Sequence, residues 1–82
     1  MNTYVIMSWS HRREVKCIGV NVSRGSAENA AMHAVEDYIR FSGCGGEVAS
    51  NDAHDEFWPE KNENAFRVKI DTVKTFINFS SR

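Results

Sequence analysis

Ala65-Phe66-Arg67-Val68-Lys69-Ile70-Asp71 is the stretch on which the fold of this chain turns. Apolar and charged residues alternate through it without a break. In extended form it puts Phe66, Val68 and Ile70 on one face and Arg67, Lys69 and Asp71 on the other. Val73 to Phe79 is rich in β-branched and aromatic residues and reads as one more strand, so the two runs form a terminal hairpin. A terminal helix over 65–79 is the competing reading, because Phe66, Ile70, Val73 and Ile77 also match helical spacing. The strict alternation favours the hairpin.

Working back toward the start, Thr3 to Trp9 alternates in the same way. Val5, Met7 and Trp9 fall on one face and Tyr4 and Ile6 on the other. The polar run Ser10-His11-Arg12-Arg13 fits a hairpin loop, and Val15 to Val22 fits the return strand. Between the two hairpins lies one helix, from about Ser26 to Phe41. Ser23 or Ser26 can cap it, and Glu28 is placed in its first turn, where the helix dipole favours an anion. Ala27, Ala31, Ala34, Val35 and Tyr38 share one face of it. That face is mostly alanine and lets the helix axis approach a sheet closely. Gly43, Gly45 and Gly46 end the helix, and Glu47 to Ser50 reads as a short strand. Asn51 to Asn64 is read as a polar, acidic loop interrupted by Phe57-Trp58-Pro59. The expected fold is α+β, in the order β-β-α-β-β-β. It has a four- to five-stranded antiparallel sheet with one helix packed on one face, and it forms a single domain over residues 1–82.

The charges are sorted along the chain. Arg12, Arg13, Lys16 and Arg24 against Glu14 give +3 over residues 1–27. Residues 28–63 carry nine carboxylates against Arg40 and Lys61, a sum of −7. Arg67, Lys69, Lys74 and Arg82 against Asp71 give +3 over the remainder, so the net charge of −1 conceals strong polarity. Such asymmetry bears on partners rather than on fold. With 82 residues and 41% apolar content, one core under one sheet is available, and little remains for a deep substrate cavity. The reading is therefore a binding protein and not an enzyme, with no catalytic residues and no cofactor.

Two surfaces suggest themselves. Asp52, Asp55, Glu56, Glu60 and Glu63 lie close together in sequence with only Lys61 opposing. Spaced carboxylates can imitate a phosphate track and occupy a basic groove on a partner, and the alternative is a solubilising loop. Trp58, stiffened by Pro59, suits an interface anchor; alternatively Phe57 and Trp58 fold back over the edge of the core. The second surface is the uncovered sheet face, where Arg67, Lys69 and Lys74 would stand out beside Phe76 and could track phosphates while an aromatic stacks bases.

His11, His33, His54, Cys17 and Cys44 lack the paired spacing of a zinc site, and Asn51 to Glu56 lacks the spacing and central glycine of a calcium loop, so no metal is expected. A Cys17–Cys44 disulfide requires their Cα atoms to come within about 7 Å. The start has no basic leader, its apolar run is broken by Ser8 and Ser10, and the two cysteines follow no disulfide pattern. These features point to a reducing, cytoplasmic setting with no membrane association. The Asn21-Val22-Ser23 and Asn78-Phe79-Ser80 triplets carry no meaning there.

The opening Met1-Asn2-Thr3-Tyr4-Val5-Ile6, the strand ending Val20-Asn21-Val22-Ser23 and the alanine-rich helix from Ala27 to Ile39 resemble some small phage anti-CRISPR proteins. The resemblance covers most of the chain in layout, but in residues only Met1–Ile6 and Val22–Ile39; Phe57-Trp58-Pro59 has no counterpart in it. It implies a non-enzymatic, phage-encoded inhibitor that binds a subunit of a host type I CRISPR-Cas surveillance complex in the cytoplasm. Such an inhibitor blocks target DNA binding or nuclease recruitment. The alternative is a small nucleic-acid-binding regulator using the basic sheet face, with nucleic acid a secondary partner in the leading reading. Either a monomer or a dimer is compatible, since an exposed edge strand supports pairing.

Overall fold

The computed structural model describes residues 2–10 and 15–74, and within it the alternating stretch is one uninterrupted strand. The elements are β1 (Asn2–Ser10), β2 (Val15–Asn21), α1 (Arg24–Ser42), β3 (Val48–Ser50), β4 (Glu56–Pro59) and β5 (Phe66–Lys74). They form a five-stranded antiparallel sheet in the order β2-β1-β5-β4-β3. The fold class and the element order agree with the sequence reading.

Two of the strands do not. β5 continues through Asp71, Thr72 and Val73 to Lys74, each in register with β1, from Ser10↔Phe66 to Asn2↔Lys74. No turn separates residues 71 and 73, because a nine-residue partner is available to pair all of them. The expected hairpin therefore has no turn there, the helical reading of this stretch fails through Lys74, and residues 75–79 lie outside the described residues. The fifth strand comes instead from the stretch read as an acidic loop. Glu56-Phe57-Trp58-Pro59 is β4, pairing Glu56↔Lys69 and Phe57↔Val68 on one side and Val48↔Pro59 through Ser50↔Phe57 on the other.

The core lies between α1 and one sheet face. Ala27, Ala31 and Val35 are fully buried, and Ile6, Val68, Ile70 and Phe57 complete the cluster. Phe66 stacks on Tyr38 with 4.7 Å between ring centroids. Alanine at two of the three buried helix positions permits the close approach. Ser23 caps the helix, its Oγ accepting from the Ser26 amide at 3.4 Å. The helix ends at Gly43, whose φ of 70° is the left-handed conformation that glycine adopts at no steric cost, while its amide donates to the Ile39 carbonyl. The helix starts two residues earlier than expected, at Arg24. Glu28 therefore stands in the second turn and pairs with Arg24 instead of with the free amides.

Arg24 ties the far end of the sheet to the helix. Its Nε donates to Glu28 Oε2 at 2.9 Å, and its Nη2 donates to the carbonyls of Ala53 and His54 at 3.1 and 3.0 Å. His54 in turn holds a left-handed φ of 56°. Charge-assisted hydrogen bonds to a turn are worth more than neutral ones, and the half-exposed position reduces that worth. Arg24→Ala is expected to lower unfolding free energy by about 1–2 kcal/mol. Arg24→Lys should recover little of it, since one ammonium cannot span the fork. Urea denaturation of the three chains measures this, and equal midpoints would show that the 51–55 turn holds without the clamp.

Candidate functional site

The sheet face away from α1 is uncovered by any described element, and alternation decides what it carries. Thr3, Val5, Met7 and Trp9 of β1 stand opposite Val73, Asp71, Lys69 and Arg67 of β5. β2 skips one residue between Ile6↔Gly19 and Met7↔Cys17, a bulge at Ile18, so Val15, Cys17 and Val20 face the same way. β4 adds Glu56 and Trp58, and β3 adds Ala49. An outward face of an antiparallel sheet is usually polar. Here most positions are apolar, and two tryptophans stand among them.

At one end of this face, Trp9, Arg67 and Trp58 form a row across three adjacent strands. Trp9 is directly opposite Arg67, and the Arg67 guanidinium carbon lies 4.6 Å from the centroid of the Trp58 ring. Arg67 Nη1 donates to Glu56 Oε1 at 3.0 Å, with about 30% of each side chain exposed. The cation is thus held over an indole by a neighbouring carboxylate. Glu63 and Asn64 of the β4–β5 turn border a shallow hollow beside Trp9 and Arg67.

The structure divides the nine residues singled out in the sequence. Glu56, Trp58, Arg67 and Lys69 share the open face, and Glu63 sits at its rim. Asp52 and Asp55 belong to the β3–β4 turn at the other end of β4. There the Asn51 side chain bonds the Asp55 carboxylate and accepts from the amides of Asp55 and Glu56. Glu60 braces β3, its carboxylate accepting from the Glu47 amide at 3.1 Å. The five carboxylates are therefore spread along β4, in a turn at each end with Glu56 between them.

Phe57 and Trp58 part company too: alternation sends Phe57 into the core, 2% exposed, and leaves Trp58 half-buried on the open face. Lys74 has the parity of Val68 and Ile70 and so does not stand beside Arg67 and Lys69. Glu56 neutralises Arg67, and Asp71 lies 3.9 Å from Lys69, so the open face is not a cationic strip. Trp9 was missed as a site residue. The face it shares with Val5 and Met7 was legible, but that this face is the open one, and that Trp9 stands opposite Arg67, depend on the partners of β1.

Among the described residues no three His, Cys, Asp or Glu side chains gather as a metal site would. Cys17 and Cys44 are free thiols and form no disulfide. No described helix is long and apolar enough to cross a membrane. No protein-family model matches the chain, and no curated protein or solved structure matches it either.

Proposed function

We propose that this chain is a small non-enzymatic binding protein that docks on a protein partner through the Trp9–Arg67–Trp58 end of its open sheet face. Following the resemblance of its sequence, the partner is a subunit of a host type I CRISPR-Cas surveillance complex, and the protein acts in the host cytoplasm as a phage-encoded inhibitor of target DNA binding or nuclease recruitment. The observation that carries the docking surface is the row itself. Tryptophan and arginine supply most of the energy at protein interfaces when they are held rigidly in a patch from which water can be excluded. Arg67 meets that condition, with its guanidinium 4.6 Å from the Trp58 centroid and 3.0 Å from Glu56. The acidic turns are secondary contacts in this reading, and the half-exposed Lys69 adds a charge beside the row.

A titration of purified surveillance complex against the protein, by interferometry, tests the proposal. Trp58→Ala is expected to weaken binding by about 2 kcal/mol or more, roughly thirtyfold in Kd, with the circular dichroism spectrum unchanged. Arg67→Glu should do at least as much, because it places two carboxylates side by side with Glu56. No binding by the parent chain would remove the surveillance complex as target, while binding unaffected by either change would remove the row as contact surface. A parallel mobility-shift assay with DNA and RNA at low salt addresses the regulator reading. With Glu56 beside Arg67 and Asp71 beside Lys69, no shift is expected.

A further inference from the structure

The apolar part of the open face adjoins the tryptophan row, and the inference drawn from it does not use the docking role given to that row. Val20 is 60% exposed and Val73 49% exposed, with Val5 and Met7 half-buried between them. We propose that a second copy of this chain covers this face, open face on open face, around a two-fold axis perpendicular to the strands. This assignment does not rest on the proposed function.

Charge and register select that arrangement. Suppose the axis passes between Lys69 and Asp71 of β5. Register then carries it between Met7 and Val5 on β1 and between Cys17 and Val20 on β2. Each copy's Lys69 then lies over the other's Asp71, twice by symmetry, and Met7 lies over the other's Val5. Both charged side chains have the exposure needed, at 43% and 44%. A two-fold axis along the strands would instead place the apolar β1–β2 half over the charged β5–β4 half, leaving Lys69 and Asp71 as well as Arg67 without a charged partner across the contact.

At about 4.8 Å between strands and about 3.4 Å per residue, the three strands that overlap, β2, β1 and β5, span roughly 400 Å² of sheet plane. That is below the roughly 800 Å² per partner of a standard interface and fits a weak, concentration-dependent dimer. Sheets packed this way cross at about 30° and interdigitate their facing side chains. Among the described residues β2 is an edge strand, and it offers a weaker route to association, because its bulge at Ile18 interrupts the row of backbone groups that edge pairing requires. Since β4 spans only Glu56–Pro59, the rotation carries the second β4 to the opposite end of the dimer. Trp58 of each copy stays at the rim, while Trp9 and Arg67 lie over the other copy's Thr3 and Val73, so dimerisation and docking at the row exclude one another.

Sedimentation equilibrium of the 82-residue chain, from about 1 μM to about 1 mM, covers the range in which an interface of modest size shows itself. The parent chain is expected to pass from monomer to dimer within it. Lys69→Asp and Asp71→Lys should each weaken the dimer by about tenfold or more, because each sets like charges against each other twice. An equimolar mixture of these two variants should dimerise at least as well as the parent, since the doubly acidic face of one meets the doubly basic face of the other. A pairing confined to one chain cannot produce that recovery. Trp58→Ala should leave the dimer unchanged. A chain that stays monomeric throughout, a dimer indifferent to both charge reversals, or a mixture no more associated than its components would each overturn the proposal. The second of these outcomes would move the contact to β2.

Discussion

Phe57→Ala is expected to remove about 3–5 kcal/mol of stability, the range for truncating a buried phenylalanine. A chain of this length has roughly 4–12 kcal/mol in all, so the variant should lose at least a quarter of its stability and be unfolded at the lower end of that range. Phe57 is 2% exposed, pairs with Val68 across β4 and β5, and belongs to the cluster formed with Ile6, Ile70, Val35, Ala27 and Ala31. Its ring joins the helix to a strand of only four residues, whose backbone pairing with β5 covers just two positions. Without the ring, β4 keeps the Arg67–Glu56 pair, the Arg67–Trp58 contact and buried Pro59 but loses its main tie to the core, and the packed edge with β3 loosens with it. Trp58→Ala, one residue along, should cost about 1 kcal/mol, because that side chain is half-buried on the other face. Chemical denaturation of the two variants beside the parent checks both values. A Phe57→Ala protein with a parental midpoint would mean that β4 is held by something other than the core.

That contrast marks the boundary between what the sequence disclosed and what it withheld. The alternation of 66–71 was legible because a strand with one dry face writes a period of two into its residues, whatever its neighbours are. The buried helix face of Ala27, Ala31 and Val35 was legible for the analogous reason at a period of 3.6. β4 was not legible. Four residues hold only two periods, Pro59 argues against a strand, and the acidic residues on both sides resemble a loop. What makes Glu56–Pro59 a strand is Val68 and Lys69 beside it, a contact between positions more than ten residues apart. The length of β5 depended on β1 in the same way, and with it the direction of Lys74. The carboxylates, close in sequence, are spread in space, because an extended strand sends Asp55 and Glu60 to opposite ends. The candidate site suffered most from this. Trp58 and Arg67 were each named from sequence, but their stacking, and the place of Trp9 in the row, rest on register.

Ala31→Leu and Ala34→Leu, the same change three residues apart on one helix, are expected to have opposite consequences. Ala31 is fully buried against the sheet, and its small side chain sets how near the helix axis lies. Three more carbons there must displace the helix or force neighbouring side chains off their rotamers, at about 1–3 kcal/mol or more. The displacement would also loosen Phe57 and Val68, which pack on the same face. Ala34 points elsewhere. With Ala30 it lines a groove between α1 and the β1–β2 side of the sheet, floored by Ile6, Ser8 and Phe66 and flanked by Ile18. A leucine at 34 has room to cover that apolar floor, and leucine is nearly as good a helix former as alanine. Ala34→Leu should be neutral or stabilising by up to about 1 kcal/mol, from apolar area newly withdrawn from water. Melting temperatures of the two variants, read by circular dichroism at one protein concentration, should therefore fall on either side of the parent. Equal losses at both positions would show that the helix fits the sheet as tightly on its β1–β2 side as over β5.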